Sequence, residues 1–247
     1  MEVKINKEKT IIAAMFNSIA ANYDKLNHIL SLGIDKYWRS VLIKEVLKDK
    51  PYTALDIACG TGDITIALMK RGVKATGLDI ADKMLERAIT KSKKSMKRLR
   101  HKSGKQYFLP EYICASAHQL PFDKEVFDLV TIGFGIRNFE HRGESLLEMQ
   151  RVLKPGGRLA ILEFATPRNY LWRNIYNIYF LKILPYIGKL ISGDNNAYSY
   201  LPSSVGTFPQ YKEFSRELEH FGYVNIEMKI LTGGVSVLYT AKKMKSD

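Results

Sequence analysis

The sequence predicts an α/β fold: a mostly parallel sheet of seven strands with helices on both faces, extra helices in front and an antiparallel hairpin at the end. Three observations predict it. Short apolar runs alternate with helically spaced stretches across 51–165. The first of those runs breaks abruptly into two glycines. The last two runs are separated only by Thr232-Gly233-Gly234, which is too short for a crossover and so implies antiparallel pairing.

Taken in order, residues 9–20 place Ile11, Met15 and Ile19 on one helical stripe, with Ile12 and Phe16 beside it. Ala21 to His28 is polar and aromatic, and it leads into Leu30-Ser31-Leu32-Gly33. A helix over about 35–48 carries Tyr37, Trp38, Val41, Leu42 and Val46. All of this precedes the first core strand. It either only packs on the sheet or also closes over a site, with Tyr23, Asp24 and His28 facing a ligand.

Ala54 to Ala58 has the length of a buried strand, Gly60 and Gly62 turn the chain, and Ile64 to Met69 reads as a helix. Val73 to Leu78 is a second strand ending at Asp79, followed by a helix from about 81 with Met84, Leu85, Ala88 and Ile89 as its apolar face. Pro110 to Ala115 is a third strand, and Ser116 to Phe122 a loop. Phe127 to Phe134 is a fourth strand, too uniformly apolar for a solvated edge. It delivers Gly133 to Asn138 to the carboxyl end, where open parallel sheets bind ligands.

Helix 141–153 turns Leu146, Met149 and Leu153 inward, and Lys154-Pro155-Gly156-Gly157 stops it. Leu159 to Phe164 is the fifth strand. Residues 170–191 are aromatic-rich and about as long as a membrane span, but Arg173, Asn174, Asn177, Lys182, Pro185 and Lys189 interrupt them. That leaves an interfacial or lid helix, or an ordinary core helix. Val224, Ile226, Met228 and Ile230 alternate with polar residues as in a half-buried strand, and Val235 to Ala241 returns. No repeat or linker divides the chain. It reads as one domain: a helical cap (1–50), a cofactor-binding core (51–165), lid or substrate-region helices (166–208), and a C-terminal helix with the hairpin (209–247).

Composition narrows the class. At 247 residues, 46% hydrophobic and 26% charged, the protein is globular rather than disordered. Cys59 and Cys114 sit in apolar runs and read as core thiols, with neither disulfide nor metal spacing. That fits a reducing cytoplasm, and the first ten residues contain no apolar signal core. Residues 91–105 hold eight Lys or Arg and no acid, most of the net charge of +13. They read as a solvated helix end or as a patch that holds the protein against anionic lipid at the inner face of the membrane. No RNA-binding aromatics are interleaved, so a nucleic-acid partner is not expected.

The glycine turn suggests the ligand. A dinucleotide fingerprint wants a third glycine where Thr65 stands, so no pyrophosphate cradle is built. Asp79, at the tip of the next strand, suits the two hydroxyls of a ribose. Asp56, Gly60, Thr61 and Gly62 line the turn, and Ser116 and Ala117 are placed to touch an adenine. A nucleoside site without a phosphate cradle is what S-adenosyl-L-methionine (SAM) requires.

Together these blocks resemble the class I SAM-dependent methyltransferases (Rossmann-like), and more closely the ubiquinone/menaquinone biosynthesis C-methyltransferase family of the UbiE/MenG type. The resemblance rests on Phe16 to Ala20 with Tyr23-Asp24 and Asn27, Leu30 to Gly33 with Trp38-Arg39, and Asp56 to Asp63. It continues through Leu120-Pro121-Phe122, Gly135 to Asn138, Arg151 to Arg158, Leu162-Glu163-Phe164, Tyr198 to Val205 and Leu231 to Gly234, from about residue 14 to 242. The resemblance implies SAM contacts from Thr61, Asp79, Ser116, Ala117 and Gly133. The sequence departs from the family pattern at Cys59 (usually glycine), Ser116-Ala117-His118 (usually Asn-Ala-Glu), Gly133 (often serine) and Ser203 (usually glutamate).

The implied reaction is methyl transfer to a ring carbon of a prenylated quinol, demethylmenaquinol by preference, with 2-polyprenyl-6-methoxy-1,4-benzoquinol as the alternative. Arg137 and Asn138 would hold a proton-accepting water, with Tyr23, Asp24, His28 and Tyr200 around the ring. An RNA methyltransferase and a non-catalytic SAM-binding partner are more distant alternatives, and a homodimer stays open.

Overall fold

The structure is a computed structural model that describes residues 9–100, 107–180 and 196–245. Three helices come first: α1 (Lys9–Ile19), α2 (Tyr23–Leu30) and α3 (Ile34–Val46). The core follows as β1 (Thr53–Ile57), α4 (Asp63–Met69), β2 (Lys74–Asp79), α5 (Asp82–Arg100), β3 (Glu111–Cys114), β4 (Phe127–Gly133), α6 (Arg142–Val152) and β5 (Leu153–Phe164). Then come α7 (Tyr170–Ile178), α8 (Asn196–Thr207), α9 (Lys212–His220), β6 (Tyr223–Leu231) and β7 (Ser236–Lys243).

The strands form one seven-stranded sheet in the order β3-β2-β1-β4-β5-β7-β6. The first five pair in parallel, and β7 runs antiparallel between β5 and β6. The order in which strands are added reverses between β1 and β4, which opens a crevice at their carboxyl ends. The glycine turn after β1, Asp79 at the end of β2, Gly133 to Asn138 after β4 and Glu163 near the end of β5 all meet at that edge.

The central strands are buried on both faces: Leu55, Ile57, Val130, Ile132, Leu159 and Ile161 are essentially inaccessible. A separate apolar cluster joins α1, α2, the start of α5, α7 and α8 through Ile19, Leu26, Leu30, Met84, Tyr176 and Val205. These helices roof the crevice. Asn17 fastens the roof: its amide donates to Asp82 (2.6 Å) and its carbonyl accepts from Lys83 N–H (3.1 Å), capping α5 from α1.

Several expectations need correction. Cys59 is half-buried and Cys114 exposed, so neither is a core thiol. Cys59 lies beyond the end of β1, and Cys114 ends β3, which is the edge strand. Ile11 (46%) and Ile89 (37%) are exposed, because the buried stripes of α1 and α5 run through Ile12 and Ile19, and through Met84, Ala88, Ser92 and Met96. Tyr23 to Leu30 is a helix, with Leu26 and Leu30 alone fully buried, too sparse a pattern to read. Lys154 to Gly157 stops α6 but belongs to β5, which begins at Leu153. Of the 170–191 run, residues 170–180 are described and 181–191 lie outside the described residues, as do 101–105 of the basic run. Among the described residues no helix is long and apolar enough to cross a membrane.

Candidate functional site

Two adjoining cavities fill the crevice. The larger, about 370 Å³, is lined mainly by aromatic and aliphatic side chains from the roof and the ends of β4 and β5, among them Trp38, Phe134, Phe164, Trp172 and Phe180. The smaller, about 90 Å³, runs along the ends of β1, β2 and β3 past Asp79, Ser116, Ala117 and His118. Phe16, Tyr23, Ala58, Gly60, Gly133 and Phe134 line both, so the cavities meet at the β1–β4 switch.

The glycine turn makes that meeting possible. Gly60 (φ 54°) and Gly62 (φ 81°) are left-handed, and Ala58 (φ 52°) shares the strain. A Cβ on Gly60 would point at Tyr23 Cε1, 3.8 Å away, into the space common to both cavities. Gly60 N–H donates to Asp79 Oδ2 (2.8 Å) and Ala81 N–H to Oδ1 (2.9 Å), which fixes the carboxylate at the rim of the smaller cavity. Burial raises the Asp79 pKa, opposed by these backbone donors. Asp56, beneath the turn, accepts from Thr65 N–H (3.0 Å), Thr65 Oγ1 (2.6 Å) and Thr131 Oγ1 (2.8 Å). Burial still pushes its pKa up to about 6.

A series of charges ties the roof to the turn. Lys91, the first residue of the basic run, donates to Asp24 (2.6 Å), Asp63 (2.7 Å) and Thr61 Oγ1 (2.9 Å). Thr61 also donates to Asp24. Arg39 bridges Asp35 and Asp63, and His28 Nδ1 lies 2.8 Å from Asp35 Oδ2. Asp63 is held below the usual carboxylate range despite its burial, because Arg39 and Lys91 outweigh desolvation. Asp24 and His28 are thus engaged in fastening α2 to α3, α5 and the turn.

The polar end of the larger cavity is built on β4 and β5. Arg137 Nη1 pairs with buried Glu163 Oε1 at 2.8 Å and also donates to Phe134 O; its Nε donates to Ser204 Oγ at 3.2 Å. Glu163 accepts in addition from Phe164 N–H (2.8 Å) and Arg137 N–H (3.3 Å). Tyr23 and Tyr200 share this cavity with Arg137, whereas Asn138 faces the smaller one with a buried Oδ1 that has no hydrogen-bond partner among the described residues.

The structure therefore brings Tyr23, Arg137 and Tyr200 together, puts Asn138 beside the junction, and sets Asp24 and His28 in the supporting network. Sequence reasoning missed Lys91, Arg39, Glu163 and Tyr176. Arg39 and Glu163 fell inside the blocks that carry the family resemblance, and Glu163 gave a further signal as a charge inside an apolar strand. At two positions where the sequence departs from the family pattern the packing is close: a Cβ on Gly133 would meet Ile64 Cδ1 at 2.5 Å, and the Cys59 side chain stands against Gly77, where a Cβ would lie 2.9 Å from its Sγ.

The donor set fits SAM: Asp79 offers carboxylate lone pairs to a diol, and the left-handed glycine turn leaves backbone open beside it. In a SAM-dependent methyltransferase of Methanosarcina mazei the same fold recurs with a TM-score of 0.53 and 21% identity, over 78% of this chain and 93% of that one. The [4+2]-cyclase SpnF superposes with a TM-score of 0.68 at 13% identity, over 95% and 96% of the two proteins. Relatives include the ubiquinone/menaquinone biosynthesis C-methyltransferase UbiE of Geotalea daltonii, 40% identical over 97% of this chain and 99% of its own. The demethylmenaquinone methyltransferase of Chlorobaculum tepidum is 40% identical over 96% and 94%, and that of Bacteroides fragilis 39% over 96% and 94%. The family model described as the ubiE/COQ5 methyltransferase family matches residues 2–243. With fold, cofactor chemistry and sequence in agreement over nearly its whole length, the chain belongs to the ubiE/COQ5 methyltransferase family and is a SAM-dependent methyltransferase.

Proposed function

We propose that this methyltransferase acts on a ring carbon of a prenylated quinol, demethylmenaquinol in preference to a benzoquinol. The observation that carries this reading is the junction: a small pocket rimmed by the Asp79 carboxylate opens at Gly133 and Phe134 into a large aromatic cavity, which Arg137 borders at the end of β4 and Asp35, Arg39 and Asp63 border below the roof. Asp79 holds the ribose, and Ser116 with Ala117 the adenine. Gly60, Thr61, Gly62 and Asp56 form the floor, and Gly133 keeps the passage open. SAM held by these residues would supply an electrophilic methyl group: the ring-carbon electron pair would form the new C–C bond, the S–CH₃ pair would stay on sulfur, and the displaced ring proton would leave to water.

The protein's own part is alignment and proton handling. A ring carbon is a weak nucleophile until a neighbouring hydroxyl loses its proton. Asn138 Oδ1, on the smaller-cavity side of the junction, is a buried acceptor with no partner among the described residues, and Arg137 stands on the larger-cavity side, so a water held between them would relay the hydroxyl proton. Tyr23, between the cavities, packs edge-on against Phe16 at 6.1 Å and aligns the ring.

The aromatic wall suits a prenyl tail, since one isoprene unit in an apolar groove is worth roughly 4 kcal/mol at about 0.8 kcal/mol per CH₂. On α7, Leu171 (72%), Ile175 (57%) and Ile178 (54%) form an exposed stripe, and Ile175 also lines the cavity. This face meets the membrane from which such a substrate is drawn. Incubation with labelled SAM and a mixture of demethylmenaquinol, benzoquinol and RNA tests the reading. Label is expected in the naphthoquinol; label in RNA, or SAM binding with no transfer, would overturn it.

A further inference from the structure

Two hydroxyls beside Arg137 in the larger cavity are not used by the described residues of the fold. Tyr176 Oη and Tyr200 Oη are buried and have no hydrogen-bond partner among the described residues. Tyr176 is 8% exposed, on α7, with its ring stacked on Phe180 at a centroid distance of 4.4 Å. Tyr200 comes from α8, across the same cavity. Neighbouring phenols are different: Tyr179 Oη donates to Leu30 O (2.5 Å) and Tyr211 Oη to Thr166 O (2.8 Å).

A buried donor left unmade destabilises a fold. Phenylalanine would fill such positions without that cost, as Phe134, Phe164 and Phe180 do elsewhere on this wall. The charged groups facing these phenols are Arg137 for both and Glu163 for Tyr200, with the Tyr211 phenol also near Tyr176. Burial raises the pKa of both, so they remain O–H donors rather than bases. Arg137 cannot replace them, since it is paired with Glu163 and engaged by Phe134 O and Ser204.

We propose that Tyr176 and Tyr200 form a two-donor subsite for the substrate ring oxygen that loses its proton, and so stabilise the aryl oxyanion. This rests on the quinol reading above. In the step concerned, the substrate O–H bond breaks, its electron pair stays on oxygen and spreads into the ring, and the proton passes to water. The two phenols donate to that oxygen and keep their own protons, which is stabilisation of developing charge by donors fixed beforehand.

The test uses Y176F, Y200F and the double variant, with 1-naphthol as a probe whose absorption reports its anion. Wild type is expected to lower the apparent pKa of bound 1-naphthol by about 1–2 units relative to the double variant. Each single variant is expected to reduce kcat on the quinol by roughly 10- to 100-fold. SAM affinity should be unchanged by calorimetry, and Tm no lower than wild type, because the lost hydroxyl had no partner. Equal naphthol pKa values in wild type and double variant, with quinol methylation intact in wild type, would overturn the subsite alone. A clear fall in Tm for Y176F would also overturn it, by revealing a structural partner. Acidified naphthol in a wild type that methylates no quinol would support the subsite and sink the quinol reading instead.

Discussion

Asp79 is held by two backbone N–H donors at the rim of the smaller cavity, so its remaining lone pairs face outward in a fixed geometry. In the proposed ribose contact, replacing it by alanine removes two charged hydrogen bonds, each worth about 1.5–3 kcal/mol, so SAM affinity should fall at least about 100-fold by calorimetry. Unchanged affinity would remove Asp79 from the site. Asp56 supports a stability prediction. Its folded pKa, about 6, lies above the unfolded value of about 3.9, so the folded protein binds the proton more tightly. Its contribution is therefore fully present below about pH 4 and is lost as pH rises through about 6, by about 2–3 kcal/mol. Urea unfolding of wild type and Asp56→Asn between about pH 4 and 7 should show a gap that grows with pH in the variant's favour; a constant gap would contradict it. Asp56, Asp79 and the glycines were legible because each is set by its own strand and turn. Lys91, Arg39 and Tyr176 were not. The carboxylate partners of Lys91 lie 28 and 67 residues away, and in isolation it reads as one more solvated lysine.

At the scale of elements, the Leu231 to Gly234 turn is a brace. Thr232 Oγ1 accepts from Trp38 Nε1 (2.8 Å) and Thr232 O from Trp172 Nε1 (3.3 Å), while Gly233 (φ 64°) leaves room for the Trp172 indole. It joins α3, α7 and the terminal hairpin around one side of the cavity. The β5 strand carries Glu163 inward for Arg137, and removing one partner of such a pair leaves an uncompensated buried charge. Glu163→Ala should lose about 3–5 kcal/mol of stability by urea unfolding, whereas a loss under about 1 kcal/mol would show that Arg137 finds another partner. For α7, serine at Leu171, Ile175 and Ile178 should reduce sedimentation with anionic liposomes while leaving SAM affinity intact. Reversing charges at 93–100 of the basic run, which leaves the ion-paired Lys91 in place, should do the same. Equal sedimentation would make these surfaces ordinary solvated faces. Sequence periodicity marked α7 as unusual but could not orient it, because its aliphatic stripe of Leu171, Ile175 and Ile178, which periodicity alone would turn inward, is exposed, and Tyr176 is the buried residue.

Across the whole molecule, strand runs, short crossovers and the terminal hairpin made the parallel sheet and its antiparallel end readable, since the central strands are buried on both faces and read apolar throughout. The order in which strands stand side by side, with β4 beside β1 and β7 inserted between β5 and β6, comes from pairings that no local pattern encodes. That order makes the site: it sets the carboxyl ends of β1, β2, β4 and β5 around one crevice, with the small Asp79-rimmed pocket proposed for the cofactor on one side and the aromatic cavity on the other. Methylation there requires a ring carbon made nucleophilic by its own hydroxyl, so the redox state of the acceptor decides the reaction. The most direct measurement is methyl transfer from labelled SAM to demethylmenaquinone in detergent micelles, offered first chemically reduced and then oxidised. Label is predicted in the ring only under reducing conditions; equal labelling of the oxidised quinone, or none of either with SAM bound, would contradict it.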